Sequence, residues 1–62
     1  MYRYFIFFNF ILKNGSGGIG NMETNVNFKI SGINDVKKIE KSILDENEDY
    51  MQVLINNFIR LE

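Results

Sequence analysis

The chain has no cysteine and no histidine among its 62 residues. Disulfides are therefore excluded, and so are the thiolate and imidazole ligands on which zinc, copper and iron sites are built. General acid or base catalysis would fall to a carboxylate, tyrosine or lysine held in a pocket, and a chain this short offers little pocket volume. The sequence accordingly points to a non-enzymatic protein without a cofactor. Charge of one sign is also lacking: seven basic residues stand against eight acidic ones. No electrostatic footprint for duplex nucleic acid or an anionic membrane is present. Long apolar runs are missing as well. The stretch from Tyr4 to Leu12 is broken by Asn9, where a spanning helix needs about 20 residues, and no small-x-small cleavage site follows it. The expectation is a cytoplasmic protein that neither crosses nor binds a membrane.

What is present is aromatic. Six Phe and three Tyr supply the core of a single domain, 1–62. A domain this small buries only about 60% of the surface exposed by its unfolded chain, so a second subunit is the expected source of further stability.

Residues 2–12 read as a strand that is apolar on both faces, with Tyr4, Ile6, Phe8 and Phe10 on one and Phe5, Phe7 and Ile11 on the other, the pattern of a central strand. Residues 22–30 alternate strictly: Met22, Thr24, Val26, Phe28 and Ile30 share a face, opposite Glu23, Asn25, Asn27 and Lys29. Same-face pairing of the two strands sets Leu12 against Met22, Phe10 against Thr24 and Phe8 against Val26, with a register shifted by two residues, Phe10 against Met22 and Phe8 against Thr24, equally open. It predicts a loop over about residues 14–20 and rejects a two-residue turn at Asn14-Gly15, which would set Ile6 against Glu23. Val36, Ile39, Ile43 and Leu44 then recur at helical spacing. Ser31 or Asn34 is placed to cap that helix, and Asp35 to complement its dipole. The acidic run Asp45–Asp49 reads as a solvated loop. Residues 50–61 read as a last strand, bulged at Asn56-Asn57, with a terminal helix as the alternative. The predicted fold is α+β, a ββαβ unit with a three-stranded antiparallel sheet in the order 2-1-3 and one helix on one face.

Gly15-Ser16-Gly17-Gly18-Ile19-Gly20 matches G-x-G-x-x-G literally. A dinucleotide fingerprint needs a helix directly after it, and here a strand follows, so the segment is read as a hairpin connection and not as a phosphate cradle. The acidic run lacks the spacing and the turn glycine of a calcium loop. The remaining candidate site is the sheet face opposite the helix. Phe5, Phe7 and Ile11 from the first strand, with Tyr50, Leu54 and Phe58 from the last, are predicted to form an apolar interface, as the core of a homodimer or the contact for another protein. Pairing along the outer edge of the second strand is the competing dimer geometry. Stacking of single-stranded nucleic acid on Phe5 and Phe7 is a second functional class, with only Arg3, Lys29 and Arg60 to meet phosphates. A purely structural small subunit is a third.

The chain also resembles the short, aromatic-rich proteins that bacteriophages and mobile elements encode, often as one compact ββαβ unit. The likeness covers overall form: "MYRYFIFFNF", the glycine segment, "SGINDVKKIEKSIL" and the closing "LE". It implies a binding role, because several such proteins block host defence complexes, including nuclease or helicase assemblies, by occupying a functional surface. The partner implied is a host protein.

Overall fold

The computed structural model describes residues 1–61, so Glu62 of the closing Leu61-Glu62 lies outside the described residues. Strand β1 spans Tyr2–Leu12, β2 Gly17–Val26, helix α1 Ile33–Glu46 and β3 Tyr50–Arg60. The sheet is antiparallel in the order β2-β1-β3, as the sequence predicts, and residues 50–60 form a strand in place of the alternative helix.

The first connection differs from its prediction. The turn is short: the Gly15 amide donates to the Leu12 carbonyl at 2.9 Å, the Leu12 amide to the Ser16 carbonyl at 2.6 Å, and the Ser16 amide to Asn14 Oδ1 at 2.9 Å. Gly15 sits at φ 92°, the left-handed residue that follows the i→i+3 turn of a three-residue hairpin loop. Consequently Phe8 lies opposite Gly20, and Tyr2 opposite Val26. The predicted partner of Phe8, Val26, is on the same face of the sheet but at the far end of the strand.

Gly17–Gly20, expected in the loop, belong to β2 because aromatic rings use the space that their missing side chains leave. A Cβ on Gly20 would stand 2.8 Å from the Phe8 ring, and one on Gly18 would stand 2.8 Å from the Phe10 ring. Phe28 and Ile30, expected in a strand, instead pack against the core from the connection to the helix, where the Ile30 amide donates to the Tyr4 hydroxyl at 2.9 Å.

Ile39 and Ile43 of α1 close the core over Tyr4, Ile6, Phe8 and Val53, with Val26, Leu44 and Ile55 packed around them. The N-cap is Gly32, without a side-chain cap bond, so neither Ser31 nor Asn34 fills that role. Asp35 reaches back instead: its Oδ2 accepts from both the amide and the hydroxyl of Ser31 at 3.0 Å. These bonds and the nearby Lys38 ammonium hold the Asp35 carboxyl below its ordinary value. At the other end Asn47 Nδ2 donates to the Ile43 carbonyl at 2.8 Å. Asp45 and Glu46 close the helix, so the predicted acidic loop is shorter, running through Asn47, Glu48 and Asp49.

Candidate functional site: the open sheet face

Two bulges decide which residues of β3 point away from the helix. The β1–β3 register slips between Phe7 and Phe8, where Asn56 is the extra residue, and between Ile11 and Leu12, where Met51 is extra. The first is the bulge predicted at Asn56-Asn57; the second carried no sequence signal. Each inserted residue inverts the alternation. Gln52, Leu54, Asn57 and Ile59 therefore lie opposite Ile11, Asn9, Phe7 and Phe5 on the open face.

Four of the six predicted interface residues are brought together there: Phe5, Phe7, Ile11 and Leu54. Tyr50 and Phe58 are not. Tyr50 stacks on Phe10 on the helix side, with centroids 4.8 Å apart and an interplanar angle of 7°. Phe58 lies opposite Ile6 and meets Tyr4 edge to face at 5.9 Å. Their parity holds only for a strand without bulges, so the extra residues turn both rings toward the helix. Ile19 and Ile59 take their places. Ile19 was hidden from sequence reasoning within a presumed loop, although alternation through Gly18, Gly20 and Met22 carries its position.

The face consists of two apolar ends and an amide band. At one end Phe5 and Phe7 meet edge to face at 5.0 Å, beside Ile59, and shield one another so that neither is fully exposed. At the other end Ile11, Ile19 and Leu54 flank a groove of about 420 Å³ that also takes in Asn9, Gly17 and Gln52. Ile19 is 80% exposed and Leu54 57%. Between the two ends run Asn21, Asn9, Asn57 and Asn56, with Asn56 Nδ2 donating to Asn9 Oδ1.

The charges on this face are few and close together. Arg3 Nε lies 3.6 Å from Glu23 Oε2, on neighbouring strands. Of the other cations considered for phosphate contact, Arg60 turns to the helix side over the Tyr2 ring at 4.9 Å, and Lys29 lies in the β2–α1 connection, off the sheet. The glycine segment lies alongside this face, but the volume opened on its helix side is filled by the Phe8 and Phe10 rings. Asp45 pairs with Lys41 at 3.3 Å, and no group of three or more acidic side chains among the described residues could hold a metal ion. No helix among the described residues is long and apolar enough to cross a membrane.

The fold and this surface define a small α+β unit with one covered and one open sheet face. Comparison of the chain with protein-family models, with curated proteins and with solved structures finds no match.

Proposed function

We propose that this chain is a non-enzymatic protein-binding module, that it acts as a homodimer, and that the open sheet face meets a partner protein. The observation that carries this reading is that face itself. Side chains that a larger domain would bury, Ile11, Ile19, Leu54 and Ile59, stand in solvent beside amides able both to donate and to accept. An apolar centre interrupted by hydrogen-bonding groups suits a protein partner. A weakly charged surface of this kind gives binding with little dependence on salt, whereas a single-stranded nucleic acid platform needs a positive groove. Only Arg3 of the three candidate cations is on the sheet's open side, and Glu23 stands against it. The resemblance to phage-encoded proteins supports a finer proposal: occupation of a functional surface on a host defence complex, in the cytoplasm of the host cell.

The test is capture from host lysate followed by reconstitution with the purified partner, using the wild type and an Ile11→Asp/Leu54→Asp variant. The reading expects a stoichiometric complex that survives half-molar salt and is lost in a variant that still melts cooperatively. Binding that is indifferent to the two substitutions, or abolished by moderate salt, contradicts it.

A further inference from the structure

The two outer edges of the sheet are built differently. On β3 two bulges interrupt the strand, and the helix packs alongside it. The Glu40 carboxylate of that helix accepts the Ile55 amide at 2.7 Å. Bulges and covering elements of this kind are how sheet edges are kept from pairing with another chain. On β2 none of these devices appears. The strand keeps one register with β1 from Gly17 to Ile11 through to Val26 and Tyr2. It contains no proline, lysine or arginine, and its one charge is Glu23. The helix leaves an open cleft of about 200 Å³ beside it, lined in part by Met22, Thr24 and Val26.

The direction of the free amides follows from the turn. Leu12 and Ser16 are a hydrogen-bonded pair, so by alternation the even-numbered residues of β2 bond inward to β1. Gly17, Ile19, Asn21, Glu23 and Asn25 turn their amide and carbonyl groups outward.

We propose that two copies of the chain pair antiparallel along these outer edges of β2, about a two-fold axis at Asn21. This rests on the homodimer reading above and specifies its interface. The pairing is self-complementary in charge and in size. It sets Asn21 against its own counterpart and Glu23 against Ile19 of the second copy, whereas an axis at Glu23 would oppose two carboxylates. On the helix side it sets Met22 against Gly20 and Thr24 against Gly18, a large side chain against a residue with none at each step. Both helices then lie on one side of a continuous sheet, and the two open faces join on the other, doubling the surface offered to a partner. A chain without disulfides gains from the second copy the burial that its length denies it.

Sedimentation equilibrium of the full chain, with cysteine pairing as the reporter of geometry, tests this. Opposite residues of a hydrogen-bonded antiparallel pair have Cα atoms about 5.5 Å apart, within disulfide reach. Asn21→Cys is expected to give a covalent dimer on mild oxidation, and Leu54→Cys to give none. Asn21→Pro removes an outward amide and no bond to β1, and is expected to raise the dissociation constant at least about tenfold. If that variant fails to fold, the cysteine result decides. A dimer bridged through Leu54→Cys and not through Asn21→Cys overturns edge pairing and leaves the homodimer standing. A wild-type chain that is monomeric at micromolar concentration, with a melting temperature independent of concentration, overturns both.

Discussion

Alternate residues of β1 have opposite fates although they are nearly equal in hydrophobicity. Tyr4, Ile6 and Phe8 are 2%, 0% and 5% exposed beneath the helix, while Phe5 and Phe7 are sheltered chiefly by one another and Ile11 meets solvent. The hydropathy of the strand therefore says that both faces need cover and not which of them receives it. Among the described residues one amphipathic helix, α1, supplies cover, and its position over β1 and β3 makes one face a core and leaves the other a surface. That difference is the physical basis for reading the second face as a binding site.

Truncating equivalent rings on the two faces is expected to have the largest and most unequal effect. Phe8→Ala is expected to cost about 3–5 kcal/mol, the range for a buried aromatic. Phe7→Ala is expected to cost about 1–2 kcal/mol, from partial burial and the contact with Phe5. Chemical denaturation of both variants measures the gap, and equal losses would mean that the open face is covered in the folded protein.

A smaller effect is expected at the glycines of β2. Gly20→Val improves strand propensity but places a branched side chain where the Phe8 ring lies, so it is expected to destabilise by about 1–3 kcal/mol. Ile19→Val, one residue away on the open face, is expected to stay within about 0.5 kcal/mol of the wild type. A stabilised Gly20→Val protein would show that the ring does not lie across β2.

The same glycines mark the limit of what the sequence makes legible. Element order, sheet order, the helix with its Ile39 and Ile43 face, and the parity of β1 against β2 all follow from periodicity, because burial of one face constrains parity strongly. Absolute register does not follow. Gly17, Gly18 and Gly20 read as loop residues by composition, and only the positions of the Phe8 and Phe10 rings show why a strand uses them. On the open face Phe5, Phe7, Ile11 and Leu54 were legible from alternation. Tyr50 was misplaced because the Met51 bulge depends on pairing with β1 and leaves no mark of its own, and Phe58 because its parity was counted straight through the bulge at Asn56.

The smallest expected effect lies at the helix start, which holds the covering element in place. The Asp35 carboxyl has its folded pKa lowered from an ordinary 3.8, first by the Ser31 amide and then by the Ser31 hydroxyl. A depressed carboxylate contributes stability that is fully present above the unfolded value and is lost as pH falls through the folded one. Below pH 3.8 the wild type is thus expected to lose stability that an Asp35→Ala variant lacks throughout. Melting curves from pH 6 down to pH 2 check this, and parallel losses in the two proteins would exclude the contact.

One sheet face is covered by α1 and the other is open, and the second copy is proposed at the β2 edge. Methyl relaxation by a soluble gadolinium chelate, measured by NMR on the protein in solution, reports this directly. The Ile19, Leu54 and Ile59 methyls are predicted to relax strongly, and those of Ile6, Ile39, Ile43 and Val53 to be protected. If Leu54 and Ile59 prove as protected as Ile6, the open face is occupied by the protein's own second copy, and the assignment of that face to a partner is contradicted.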